Sequence, residues 1–563
     1  PPAAPASAIP RGRLKTQSIE EHAMPAADTI FTGGPVVTMN DHAPSAEAVA
    51  VKDGRIVAVG GASDVRAAAG AGTRIVDLAG RTLLPGFIDG HSHFINAIRM
   101  ASWANVSAPP AGKVRNIPEL IEVLKAAKAK QQLKPGDWLV GYGYDGTTLE
   151  ERRELTRDDL DPHFPDTPIM LLHVSLHGAV LNTAGFRKSN YDVFAPTPPG
   201  GMTARKPNSN EAAGLVMEHS FLPIYMQMPS PTEAQQLELF AAAQTHYASN
   251  GYTTTQDAPM EPATRPIYRK AAEQGRLVMD IVGYINWMEF PELLRTGGEP
   301  FKGPYRNRFR IGGLKVVSDG SAQGKTAFFT RPLLTPGPGG EKEWRGEPNV
   351  TPEELNALVK LAYDNDIHVM IHCNGDAAID MALDAHEAAG APSNRRTTII
   401  HSQFVRPDQL ELYVRYGMTP SFFTNHTFFW GEVHIENLGK ERASFLSPTR
   451  AAIDRGLRFT NHSDFAVTPL DPLFILWTSV NRTSRTGQII GPDQRLTPWE
   501  GLKALTLDAA HQYGEEATKG SLEVGKLADF VVLDRNPITV PPETIKDIKV
   551  TETFKEGRPI YTA

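Results

Sequence analysis

The chain has 563 residues, with 57 Lys+Arg against 64 Asp+Glu and a formal net charge of −7. A hydrophobic share of 41% and a charged share of 21% describe a soluble globular protein and exclude collagen, coiled coil and global disorder. No long Lys/Arg run supplies the basic footprint of a nucleic-acid or anionic-membrane binder, and no apolar stretch approaches the roughly 20 residues that cross a bilayer.

Residues 1–28 are rich in Pro and Ala, lack a periodic apolar pattern, and are expected to form a disordered leader. Met24 as a natural start favours a cytoplasmic protein; the periplasm stays open, because a cleaved signal peptide leaves no trace. From Thr29 to Pro85 the text turns to short β-rich runs, and Asp53-Gly54 between Ala48–Val51 and Ile56–Val59 is a strong hairpin signal. Leu83–Asp89 is an apolar run that leads into His91-Ser92-His93. Alternate residues of an extended strand point the same way, so these two imidazoles can face one ion. A bare His-x-His often arises by chance, but the apolar strand and the flanking Gly86 and Gly90 favour the ligand reading. Residues 97–240 are expected to be an insertion over the site. They hold Trp138–Tyr144, Ile169–Val174, the Gly/Pro-rich Pro196–Pro207, and the histidines His173 and His177.

Further apolar runs follow at Tyr252–Asp257, Val278–Tyr284, Phe309–Val317, Ile367–His372, Thr397–His401, Met418–Phe423 and Leu457–Asp464. Helical patterns separate most of them, such as Pro352–Asn365 with Glu353 and Glu354 in its first turn. With the first run, this is the alternation of a (β/α)8 barrel. Lys315, enclosed by its apolar strand, is expensive to keep charged. Its neutral amine could add carbon dioxide to give a metal-bridging carbamate; an ordinary ion pair with Asp319 is the plainer alternative. His372, His401 and Asp464 end three of the runs and would converge with His91 and His93, because barrel sites form at the C-terminal strand ends. Taken singly, each histidine is better read as a hydrogen-bonded structural residue; the matching positions argue for a joint role.

Cys373, the single cysteine, excludes an intrachain disulfide and reads as a small buried hydrophobe. His426 and Trp430 lie in Thr424–Gly431, which would overhang the site and line an aromatic pocket or pack beneath the insertion. Leu527–Leu533 reads as a strand and Thr553–Ile560 as a second hairpin, so residues 520–563 are expected to join 29–85 in one small β domain around a barrel of 86–519.

These residues together resemble the amidohydrolase superfamily, and within it the YtcJ-like branch called amidohydrolase family 3. The resemblance runs from Asp28 onward through Leu84–His93, Gly251–Asp257, Ser318–Ser321, His372 with Gly375-Asp376, Ser463–Phe465 and Lys519–Asp529. It implies an α/β fold: a distorted (β/α)8 TIM barrel with a small β-sandwich domain formed from both chain termini and an insertion after the first barrel strand. By position it implies a metal site of His91, His93, Lys315, His372, His401 and Asp464, holding one or two divalent ions, zinc foremost, with Lys315 carbamylated. His177 matches a histidine usual in this branch. His177, Asp319, His426 and Trp430 are the expected substrate contacts. A departure is His462, a bulky base where relatives usually carry glycine.

The expected chemistry is cleavage of a C–N amide bond, of an N-acyl or N-formyl amine, by metal-activated water whose pKa falls from about 15.7 towards about 7. Asp464 would accept the water proton and return it to the leaving amine. Deamination, cyclic-amide opening, carbamate or ester cleavage, and a catalytically silent ligand-binding relative are the alternatives. The expected partner is a small-molecule substrate, with neither nucleic acid nor membrane, and a homodimer is compatible with the sequence.

Overall fold

Two tight turns bring distant parts of the chain together. Asp53-Gly54 takes left-handed backbone at both positions (φ 49° and 76°), the geometry of a two-residue hairpin loop, between antiparallel strands Ser45–Lys52 and Arg55–Gly60. Glu556-Gly557 repeats it (φ 50° and 73°) between Val550–Lys555 and Arg558–Thr562. Ala528 N–H donates to Gly54 O (2.9 Å) and Gly557 N–H to Ala528 O (2.7 Å), which interlocks the two turns. Phe530–Leu533 runs antiparallel to Thr82–Pro85, completing one 8-stranded sheet drawn from both ends of the chain.

The computed structural model describes residues 26–563 apart from 101, 102, 110, 229–231, 298–300, 302 and 394. The expected leader lies outside the described residues up to residue 25, and from Ala27 the chain is already strand.

A second 8-stranded sheet is parallel throughout. Its strands, in chain order, are β1 Phe87–Ile88, β2 Tyr252–Met260, β3 Asp280–Asn286, β4 Phe309–Val317, β5 His368–Cys373, β6 Thr398–His401, β7 Thr419–Phe422 and β8 Thr460–Asn461. Strands covered on both faces are apolar almost throughout, and Val369, Met370, Ile371, Ile399 and Ile400 are all buried. Helices such as Pro352–Asp364 lie between them; Thr351 starts this one by accepting from Glu354 N–H, and Glu353 and Glu354 complement its positive end. The sheet curls so that its first and last strands meet: Ser463 Oγ donates to Asp89 (2.7 Å) and Asp464 N–H to His91 O (3.2 Å).

The run expected as one strand, Leu83–Asp89, divides at Gly86. Thr82–Pro85 joins the first sheet and Phe87–Ile88 the second. A Cβ at Gly86 would lie 2.3 Å from Thr253 Cγ2, so glycine lets the chain pass from one sheet to the other. An apolar run carries no mark of which sheet it enters.

Between β1 and β2 the chain builds a third, 6-stranded sheet from Ala104–Asn105, Leu139–Tyr144, Ile169–His173, Gly178–Leu181, Gly201–Arg205 and Ala212–Glu218. The last three strands had no clear mark in the sequence, and antiparallel pairing with one another and with Ile169–His173 holds them. Leu139, Leu171, Val180 and Leu215 belong to a hydrophobic core of its own. A buried ionic seam ties β3 to the first sheet: Asp280 Oδ2 lies 2.6 Å from both Lys519 Nζ and Lys555 Nζ, and Lys555 Nζ is 2.7 Å from Asp529. Among the described residues no helix is long and apolar enough to cross a membrane.

Candidate metal centre

The parallel sheet delivers its polar strand ends to one place. His91 and His93 follow β1, Lys315 lies on β4, His372 and His401 lie at the ends of β5 and β6, and Asp464 follows β8. His93 Nε2 and His91 Nε2 lie 3.2 Å and 3.5 Å from Asp464 Oδ1, and His401 Nε2 lies 3.9 Å from Asp464 Oδ2. Lys315 Nζ is 3.1 Å from His91 Nε2, and the ring centres of His372 and His401 are 4.6 Å apart. Two donor sets, His91–His93–Asp464 and His401–His462–Asp464, have ligand atoms within 4.8 Å of one another; His372 belongs to neither. His401 (φ 70°) and Asp464 (φ 48°) both hold left-handed backbone, which non-glycine residues rarely adopt and which the surrounding structure must enforce.

Three of the imidazoles are held from behind. His91 Nδ1–H donates to Gln256 Oε1 (2.7 Å), and Gln256 Nε2 donates to the Tyr513 hydroxyl (2.9 Å). His372 Nδ1–H donates to Asp319 Oδ1 (2.9 Å). His401 Nδ1 lies 3.1 Å from His462 Nε2, whose Nδ1 is 2.9 Å from Ser421 Oγ. With Nδ1 engaged, Nε2 is the ring atom available to an ion, the arrangement of an oriented metal ligand, although His91 Nε2 also meets Lys315 Nζ (3.1 Å) and His372 Nε2 meets Asn374 Nδ2 (3.4 Å).

Protonation states agree with that use. Burial holds His91 and His401 well below the ordinary imidazole value, lowers His372, and brings His462 to about 3. Burial also lowers Lys315 to about 7, against the opposing pull of Asp464. For Asp464 burial acts upward, but His401, His93 and His91 around it prevail and hold the carboxyl well below its usual range. Lowered imidazole pKa values at His91, His372 and His401 beside an ionised carboxylate suit a divalent cation, so the residues fit the metal that the sequence implies.

His91, His93, Lys315, His372, His401 and Asp464 line one cavity of about 1040 Å³, which the insertion also lines. His177 reaches it from the insertion, with Nδ1 3.1 Å from Glu218 Oε2 and its ring 5.2 Å from that of His372. Burial alone would lower the His177 pKa; the Glu218 carboxylate outweighs it and raises the value, while Glu218 is itself lowered despite burial.

Three expected substrate contacts do not line this cavity. Asp319 is fully buried behind His372 and accepts from His372 Nδ1, Asn374 N, Gly375 N and Phe328 N, so its oxygens are committed to that ring and to the backbone. His426 stacks on His434, with Nδ1 2.9 Å from His434 Nε2, and the Trp430 indole donates to Asp145 (2.6 Å). Both are buried on the helix His426–Leu438, and Trp430 packs beneath the insertion, the second of the two expectations for this segment. Cys373 is buried, as expected, with its thiol donating to Ala378 O (3.5 Å). Sequence reasoning gave no role to Gln256 or Glu218. Gln256 sits near the end of an apolar run, where a signal existed; Glu218 had none. His462 and Asp464 repeat the alternate spacing of His91 and His93, which was a usable sign.

Comparison with known proteins agrees with this geometry. An N-substituted formamide deformylase of Arthrobacter pascens is 27% identical over 543 residues, covering 94% of this chain and 97% of that protein. The amidohydrolase-named protein YtcJ of Bacillus subtilis (strain 168) is 26% identical over 552 residues, covering 94% and 99%. The crystal structure of an uncharacterized metal-dependent hydrolase from Pyrococcus furiosus shares the fold, with a TM-score of 0.70 at 24% identity over 91% of this chain and 100% of that one. The amidohydrolase family profile matches residues 74–561, and the chain belongs to that family.

Proposed function

We propose that this protein is a metal-dependent hydrolase that cleaves the C–N bond of an amide of the N-acyl or N-formyl amine type. The observation that carries the reading is the meeting of His91, His93, His372 and His401 with Asp464 and Lys315 in one large cavity. His91, His93, His372, His401 and Asp464 would hold one or two ions, zinc foremost, and Lys315 as a carbamate would bridge them. A bound divalent ion supplies a water-derived nucleophile at neutral pH and polarises the scissile carbonyl.

The chain's own residues do the rest. Asp464, ionised and beside His93, takes the proton of the attacking water and returns it to the leaving nitrogen. His177, backed by Glu218, faces the cavity next to His372 and donates a hydrogen bond to the substrate. The relative named as a deformylase favours N-formyl amines as the first substrates to try.

This reading treats the eight parallel strands as a distorted (β/α)8 barrel over 86–519, with an insertion over 97–240. It also groups residues 29–85 with 520–563 as one small β domain, whose strands share a single 8-stranded sheet. The hydrogen bonds between the ends of β1 and β8 support closure. Elemental analysis, with a panel of amides, esters and lactams assayed with and without chelator, tests the function. Amide hydrolysis lost to chelator and restored by zinc is expected; tight ligand binding without turnover, in metal-loaded protein, would overturn it.

A further inference from the structure

The cavity reaches far beyond the histidine cluster. At about 1040 Å³ it lies at the top of the range for small-molecule sites, much larger than a formyl group and its scissile bond need. Trp103, Leu176, Phe221, Met226, Trp287 and Met288 are among its walls. Met226 and Met288 are 73% and 55% exposed, so apolar surface extends outward from the enclosed part. Flexible thioethers beside rigid rings suit apolar groups of varied shape.

The charges of the lining are uneven. Its carboxylates are Glu218, Glu238, Glu261, Glu289 and Asp464, of which Glu289 is paired with Arg265 outside the lining (2.7 Å). Among the described lining residues the Lys and Arg side chains are Arg99 and Lys315, and both are committed. Arg99 donates twice to Glu261 (2.7 and 2.5 Å) and once to the Tyr225 hydroxyl (2.8 Å). Lys315 sits inside the cluster against His91. His177 is paired with Glu218. Outside the histidine–aspartate cluster, where the ion would sit, an ionised substrate carboxylate would lose its water without an unpaired side-chain cation in exchange, which is strongly unfavourable.

We propose that the cavity selects uncharged amides bearing a bulky aromatic or aliphatic group and rejects those that carry a carboxylate. The proposal rests on the amide-hydrolase reading above. It separates two classes that reading leaves together: N-substituted formamides or other neutral amides on one side, N-acyl amino acids on the other.

Matched pairs that differ only by a carboxylate test it on zinc-loaded full-length protein. N-phenethylformamide is set against N-formylphenylalanine, and N-methyl phenylacetamide against N-phenylacetylglycine, so the apolar group is tried on each side of the scissile bond. In whichever pair is hydrolysed, kcat/KM for the neutral member should be higher by about 100-fold. Equal rates, or preference for the anion, overturn the selectivity and leave the hydrolase reading intact. If none of the four is hydrolysed, selectivity is decided, independently of the hydrolase reading, by calorimetric titration of the zinc-loaded protein. Neutral members binding about tenfold tighter or more support it; parity, anion preference or no binding overturns it.

Discussion

His372 and Asp319 form a buried pair, with the ring Nδ1 2.9 Å from the carboxylate Oδ1 and Asp319 itself walled off from the cavity. The carboxylate therefore acts through the ring. In Asp319→Asn one oxygen is replaced by an NH2 that cannot accept: at Oδ2 this loses the bonds from Phe328 N and Gly375 N, at Oδ1 those from His372 Nδ1 and Asn374 N, and either way the ring loses its carboxylate partner. Zinc affinity should fall by about 10–100-fold while the far-ultraviolet circular dichroism is kept. Unchanged affinity would refute the orienting role.

Asp464→Asn removes the proton acceptor and keeps the shape. Most of the zinc should remain, by elemental analysis, while kcat drops by about 100-fold or more. Full turnover in a metal-loaded variant would exclude Asp464 as the proton shuttle.

Glu218→Gln leaves His177 in place but takes away its anionic partner. The expected result is unchanged zinc content with kcat/KM lower by about tenfold, since one charge-assisted hydrogen bond to His177 is weakened. Loss of zinc instead would mean that the pair supports the ligands rather than the substrate.

Asp280 holds two buried ammonium groups, Lys519 and Lys555, and those contacts keep its carboxyl far below the usual range although burial acts upward. Asp280→Asn should destabilise the protein by about 3–5 kcal/mol, read from denaturant midpoints at neutral pH. The sign with pH follows from a lowered carboxylate pKa. Its stabilisation is complete above the unfolded value and is lost as pH falls towards the folded one, so the difference between variant and parent should shrink in acid. A constant difference across that range would contradict the ionic origin.

Much of the centre was legible in the sequence. His91, His93, Lys315, His372, His401 and Asp464 sit on or directly after apolar runs, and parallel strands bring such ends to one side whatever the loops do. The helix Pro352–Asp364 and both two-residue hairpins were legible for local reasons, a cap and left-handed turn residues. What escaped depends on distant partners. The place of Asp319 behind His372 follows from how β4 and β5 lie side by side, and Trp430 was lost to Asp145 of the insertion. The extra strands of the third sheet are short and exist through pairing with one another and with Ile169–His173, which no single run displays.

The passage of the chain between two sheets at Gly86 sets an order of events during synthesis. Thr82–Pro85 stands immediately before the segment bearing His91 and His93, yet one of its neighbours, Phe530–Leu533, is translated long afterwards. Until that late strand emerges from the ribosome, the early histidines hang from an unfinished edge. The histidine–aspartate cluster can thus be complete only once Asp464 has been made, and the sheet beneath its first histidines only once Phe530–Leu533 has, although His91 and His93 are among the earlier residues made.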